Sequence, residues 1–429
     1  MTRKKLEALR AHNEMFRKEI IEVVPNVYAS VGFGASVSTM IVGDAGVIVI
    51  DTTDSTKAAE NTLKEFRKIT DKPVRAIIYT HGHRDHVSGA TVFAEGGSPE
   101  IYARHNLVNE LATTEGPYKI LQQRTMRQFG IKWLEPFTER VNIGLGPADK
   151  PEEGLGRGFM PPTQQFSGEK EIITVEGVTL EMHAAPGETD DALVVWMPEA
   201  KLLFGGDNFY QAFPNLYAIR GTKYRDFSAW ADSLDFMANM NAEYLIPGHT
   251  RPVTGAGAVK EALSGYRDAI RYIIEKTAEG MNKGLYLDEL AEYVKLPEEL
   301  ASQYALQEFY GTVAWSAKSY ACGELGWFDG NPTSLFPTPP REKAARIAKL
   351  AGGAEALAKE MHQATEKGEH QWAMELADII NTLDAGHLDA ARSVKIAALR
   401  ALADDQINAC ARNYYLVYAK QLEAGAVSR

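Results

Sequence analysis

The chain has 429 residues, with 57 acidic against 46 basic side chains and a formal net charge of −11. At roughly 100–200 residues per domain this length holds two or three domains, and a 45% hydrophobic content excludes disorder as the dominant state. An acidic chain without a basic run is a poor partner for nucleic acid, whose binding draws on Lys and Arg against phosphate, and two cysteines exclude a disulfide scaffold or a Cys-rich zinc ribbon. Residues 1–19 are charged and helical in pattern, with neither the apolar segment nor the cleavage site of a signal peptide. No apolar run approaches the roughly 20 residues that span a bilayer. The expected location is the cytoplasm, with no membrane partner.

Residues 38–43 (STMIVG) and 47–51 (VIVID) are short β-branched runs split by the turn signal Asp44-Ala45-Gly46, which predicts a hairpin. Residues 56–69 are helical in period, with Ala59, Leu63 and Phe66 on one face. Residues 74–80 (VRAIIYT) predict a buried strand. A second β-rich passage opens near Ile172, with a hairpin about Glu176-Gly177 and strands over 192–197 and 201–204. A helix over 227–240 and a short strand over 244–246 follow. Strands, helix, strands, helix is the pattern of two sheets between helices. Residues 105–165, Gly/Pro-rich from 144 to 163, interrupt it and read as an insertion that covers or lines a site.

Composition changes near residue 255, after which Ala, Leu, Glu and Lys dominate and only helices are expected. Amphipathic segments fall at 343–350, 354–367, 370–383, 388–403 and 406–423. Cys322 and Cys410 are expected as buried small hydrophobes in these helices.

The chemistry concentrates at Thr80-His81-Gly82-His83-Arg84-Asp85-His86, just past the predicted strand. Three of the ten histidines lie within six residues. In a tight loop His81 and His83 point the same way, and Asp85 and His86 sit one turn on. One loop can therefore feed two metals about 3.5–4 Å apart, the spacing of two-metal hydrolysis. Three further potential ligands each follow a glycine at a predicted strand end: Pro186-Gly187-Glu188, Gly205-Gly206-Asp207 and Pro247-Gly248-His249. Taken singly, Asp207 reads equally as a helix cap and His249 as a core histidine. Asp190 and Asp191 lie close enough to replace Glu188 as an oxygen ligand. His183 reads as structural or as a support to a ligand, and His12, His105, His362, His370 and His387 as structural or surface.

HxHxDH at residues 81–86, followed by GGD and PGH, resembles the metallo-β-lactamase superfamily. Glu188 departs from that superfamily's usual histidine and resembles the alkylsulfatase branch. Residues 326–332 (GWFDGNP) and 215–221 (NLYAIRG) are similar to segments of the same branch. The resemblance implies an α+β fold, an αββα metallo-β-lactamase sandwich over residues 1–255 and an all-helical dimerisation domain over 256–429. Larger members add a C-terminal sterol-carrier-like domain, for which this chain has no room, and commonly carry glutamate where this chain has Asp207. By matched position, His81, His83 and Glu188 would hold one zinc and Asp85, His86 and His249 a second, with Asp207 bridging. Two zinc ions per chain are implied, with manganese or iron admissible at one position.

The implied reaction is hydrolysis of a small anionic ester, an alkyl sulfate, to alcohol and sulfate by metal-activated water. Asp85 would orient that water. Arg220 matches the branch's sulfate-contacting arginine, and Arg225 is a second substrate-binding candidate. Two other readings are a hydrolase of a lactone, β-lactam or thioester on the same fold, and an oligomeric interaction protein with a vestigial metal site. The aromatic residues of 304–315, with Trp327 and Phe328, predict a homodimer contact.

Overall fold

A computed structural model describes residues 2–107, 116–383 and 387–427. The first half builds two sheets. After α1 (Thr2–Ala11) come β1 (Glu19–Val24), β2 (Val27–Val31), β3 (Ser38–Val42), β4 (Val47–Ile50), α2 (Thr56–Phe66), β5 (Val74–Ile78), the one-turn helices α3 (Arg84–Val87) and α4 (Ala90–Phe93), β6 (Glu100–Arg104), α5 (Tyr118–Phe129) and β7 (Gln164–Phe166). These strands form a seven-stranded sheet in chain order. It is antiparallel from β1 to β4 and parallel from β4 to β7. The second sheet holds β8 (Lys170–Val175), β9 (Val178–Ala184), β10 (Leu193–Met197), β11 (Leu202–Gly206), β12 (Tyr244–Pro247) and β13 (Val253–Thr254). Its order is β13-β12-β11-β10-β9-β8. The β11–β12 pair is parallel, so its connection must cross over, and α6 (Phe227–Ala238) is that crossover.

Alternation along each strand explains the layering. In β4, Ile48 and Ile50 face the core between the sheets, where they meet Leu180, Met182, Leu193 and Phe204. Val47 and Val49 face the other way, onto Ala59 and Phe66 of α2. Both faces of β4 are covered, which is why its sequence is an unbroken apolar run. The outer face of the second sheet (Val194, Leu203, Leu245) meets Trp230 and Leu234 of α6. The result is helix, sheet, sheet, helix. The hairpin predicted at 38–51 is β3–β4, and that at Glu176-Gly177 is β8–β9, with both turn residues at positive φ. α2 starts where Ser55 accepts the Ala58 N–H, and α6 where Asp226 accepts that of Ala229.

Past residue 255 every element is helical: α7 (Ala256–Asn282), α8 (Asp288–Tyr293), α9 (Glu298–Ala301), α10 (Val313–Leu325), α11 (Pro340–Ala351), α12 (Ala354–Glu366), α13 (His370–Leu383), α14 (Leu388–Asp404) and α15 (Ala409–Glu423). α7 and α10 share a core with α6, through Leu263, Tyr266, Ile270 and Ala317. α11 to α14 close on a separate core containing Leu357, Met361, Leu376 and Ile380. Among the described residues no helix is long and apolar enough to cross a membrane.

One sequence expectation fails here. Cys410 is buried in α15, but Cys322 of α10 is exposed. The inward stripe of α10 carries Val313, Ala317 and Ala321, spaced by four. Cys322 is one residue further, turned about 100° away from that stripe.

Candidate metal centre

The seven predicted ligands sit on loops at one end of the sandwich. His81 to His86 leave β5 and enter α3. Glu188 lies between β9 and β10, Asp207 just past β11, and His249 just past β12. The parallel neighbours β11 and β12 bring the last two together. Gly248 permits the approach: a Cβ there would stand 2.2 Å from Asp207 Oδ1. Of the nearby acids, Asp191 is engaged elsewhere, accepting the Gly82 N–H at 2.9 Å.

Ligand atoms of His81, His83 and Asp207 lie within 4.8 Å of one another, and so do those of Asp85, His86 and His249. Asp207 joins the groups. Its Oδ1 is 3.2 Å from Nε2 of both His86 and His249, and its Oδ2 is 3.6 Å from His81 Nε2. Asp85 Oδ2 stands 3.4 Å from His249 Nε2, and Glu188 Oε1 stands 3.7 Å from His83 Nδ1. Glu188 is held from two sides: Arg225 Nη1 lies 2.9 Å from Oε1, and the Tyr210 hydroxyl donates to Oε2 at 3.1 Å.

The hydrogen bonds around the imidazoles test whether metal ions fit. His86 Nδ1–H donates to Asp51 Oδ2 at 2.7 Å, and His249 Nδ1–H donates to the Ala35 carbonyl at 2.7 Å. Thr80 donates its hydroxyl to Asp51 Oδ2, leaving its oxygen to accept from His81 Nδ1 at 3.1 Å. All three Nε2 atoms thus turn lone pairs toward the Asp207 carboxylate. His81 Nε2 and Asp207 Oδ1 are buried without a hydrogen-bond partner. Acceptors converging on acceptors are repulsive unless cations sit among them. Imidazole and carboxylate without thiolate suit zinc, manganese or iron. The residues fit a divalent metal centre.

The electrostatics agree. Burial alone would lower the His86 pKa, but Asp207, Asp51 and Asp85 outweigh it and hold His86 well above its ordinary value. Burial likewise opposes ionisation of Asp207, yet His249, His86 and His81 hold that carboxyl well below the usual range. Burial raises Glu188, and Arg225 offsets part of the rise. His83 is pushed well down, first by burial and then by His81, Arg220 and Arg225. The carboxylates that draw protons onto His86 are those that would draw divalent cations.

The centre opens into a cavity of about 690 Å³, part of it open solvent. His83, Asp85, Glu188 and Asp207 form one part of its wall, and Arg84 and Arg220 add positive charge. The segment predicted as an insertion supplies Phe129, Ile131, Ile143, Leu145 and Leu155, an apolar surface. Part of that segment, 108–115, lies outside the described residues. Arg220 is on the wall, with its backbone N–H bound to Gln128 Oε1 at 2.9 Å. Arg225 is buried behind Glu188 and also donates to the Asn215 carbonyl, so it supports a ligand candidate and does not line the cavity. His183 pairs with Glu181 on β9 at 3.0 Å, in a structural role. Sequence reasoning missed Asp51, Arg84, Tyr210 and the buried Lys150–Asp54 pair. Asp51 carried the one usable signal, an acid ending an apolar strand as Asp207 does.

Residues 31–249 match the family described as the metallo-beta-lactamase superfamily, and residues 286–425 match alkyl sulfatase dimerisation. A linear primary-alkylsulfatase from Pseudomonas is 38% identical over 395 residues, 90% of this chain and 73% of that protein. The chain belongs to the alkylsulfatase branch of the metallo-β-lactamase superfamily. Among its relatives, an alkyl/aryl-sulfatase of Saccharomyces cerevisiae is 29% identical, with 96% of this chain and 65% of that protein covered. A solved stereoselective inverting sec-alkylsulfatase from Pseudomonas superposes with a TM-score of 0.87 at 29% identity, over 98% of this chain and 67% of that one. The α+β fold, with a helical region after the metallo-β-lactamase sandwich, is the architecture expected from the sequence. The chain spans less than two thirds of the length of several of these curated relatives.

Proposed function

We propose that the chain is a dinuclear zinc hydrolase that cleaves alkyl sulfate monoesters to alcohol and sulfate. The observation that carries this reading is the meeting of four imidazoles, His81, His83, His86 and His249, with three carboxylates, Asp85, Glu188 and Asp207, beside a cavity that also presents an apolar surface. His81, His83 and Glu188 would hold one ion and Asp85, His86 and His249 the other, with Asp207 between them. Such ions, when bound, supply hydroxide at neutral pH and neutralise charge on a leaving oxyanion.

The chain's own residues do the rest. Asp85 is the most exposed of the carboxylates, at 27% of its side chain, so it is placed to accept a hydrogen bond from the attacking water. Arg220 faces the cavity and would bind sulfate oxygens through paired N–H donors. Arg225 and Tyr210 fix Glu188, and Asp51 fixes the His86 tautomer. Phe129, Ile131 and Leu145 would receive the organic group and exclude water from it.

The division into a catalytic part, 1–255, and a helical part, 256–429, belongs to the same proposal, with the helical part forming a homodimer. Trp327 and Phe336, both at least 70% exposed, support that contact. Sulfate release from short alkyl sulfates by protein of measured metal content tests the reading. Turnover of a lactone, β-lactam or thioester without sulfate release would replace it with the carbonyl hydrolase. Protein that binds no metal would favour the interaction protein.

A further inference from the structure

Lys150 and Asp54 form a buried ion pair in the cavity wall. Nζ donates to Asp54 Oδ2 at 2.7 Å, and the two side chains are only 4% and 2% exposed. Both residues line the cavity together with Ile143, Leu145 and Leu155. The pair ties the insertion to the loop after β4, a junction that the Gly156 N–H reinforces by donating to the Asp54 carbonyl at 3.0 Å. An ammonium carries three N–H donors. Among the described residues Asp54 is the one hydrogen-bond partner of Nζ, which leaves two donors to water or to a ligand.

A plain alkyl chain laid against this wall would strip water from those donors and return nothing, which is unfavourable. A second anion would meet Asp54, Asp85, Glu188 and Asp207, and a cation would meet Lys150, Arg84 and Arg220. A hydroxyl suits the pair, because it accepts from the ammonium and donates to the carboxylate. We propose that Lys150 and Asp54 are specificity-determining residues that bind a hydroxyl on the organic group, so that the favoured substrates are short hydroxyalkyl sulfates. This rests on the sulfatase reading and deepens it.

Short straight-chain sulfonates, which mimic the ester and resist hydrolysis, test it as ligands of the metal-loaded chain by calorimetry. The member with a terminal hydroxyl is expected to bind about tenfold more tightly than its plain counterpart, the gain typical of a hydrogen bond to a charged group. In the double variant Lys150→Met with Asp54→Leu, which removes both charges together, that ratio should fall to about one. Equal or tighter binding of the plain sulfonate to the unaltered chain overturns the inference, and this comparison stands even where the variant does not fold. A variant that weakens both sulfonates alike also overturns it, since Lys150 would then be serving the sulfonate group. Sulfate release from plain and hydroxylated esters at equal kcat/KM would sink the inference and leave the sulfatase reading intact. No release from either would sink that reading.

Discussion

Asp51 touches no predicted metal position, yet it decides which nitrogen of His86 faces one. Its Oδ1 accepts the Thr80 N–H at 2.8 Å and its Oδ2 accepts from His86, so one carboxylate orders two adjoining loops. Asp51→Asn keeps the shape but can turn an NH₂ toward His86. It is expected to lower metal affinity about 10–100-fold, measured by competition with a chelator, with the fold retained. His12 shows the other use of a buried imidazole. Its ring stacks on Phe309 at 3.9 Å, accepts from the Tyr304 hydroxyl and donates to the Gly144 carbonyl. Burial lowers its pKa from 6.5 to about 4. The unfolded chain therefore binds the proton first as pH falls. The stabilising contribution is full above 6.5 and is lost between there and about 4. Relative to His12→Gln, the native chain should lose about 3 kcal/mol over that interval, read from urea unfolding at each pH. At this scale the sequence was legible where residue type and spacing coincide, as at His81 to His86. It was silent on Lys150 and Tyr210, because nothing in their neighbourhood in sequence announces a partner roughly a hundred or twenty residues away.

Strand ends did most to make the site readable. Apolar runs closed by glycine and a potential ligand marked the loops at Asp207 and His249 correctly, since a strand buried on both faces leaves little choice of where it stops. The helices past 255 were equally plain, and that over 370–383 coincides with α13. What could not be read was how helix α15 returns to the cavity. Asn408 caps it, accepting the Ala411 N–H, and donates to the carbonyls of Glu308 and Tyr310 at 2.9 and 2.8 Å. Tyr310 is a cavity residue. Further along, Asn413 donates to the Asn142 carbonyl and Lys420 reaches Glu139, both in the segment that builds the apolar wall. Asn408→Ala should cost about 2 kcal/mol, from a lost cap and unmet buried carbonyls. Chemical denaturation measures that, and KM should rise with it as Tyr310 shifts.

The whole molecule couples a ligand-rich sandwich to a helical body through the shared packing of α6, α7 and α10. Metal that binds the native chain and not the unfolded one should stabilise the fold. Chelator-treated protein is expected to unfold at a lower temperature than metal-loaded protein, with re-addition restoring the difference. Light scattering at micromolar concentration should give twice the chain mass, and Trp327→Glu should shift it toward the single chain. The central claim is tested most directly by sulfate release from a short primary alkyl sulfate, using protein of known metal content beside a Glu188→His variant. Release from the native chain carrying two metals, falling sharply in the variant, is the predicted result. Two metals per chain with no sulfate released from any alkyl sulfate would contradict it.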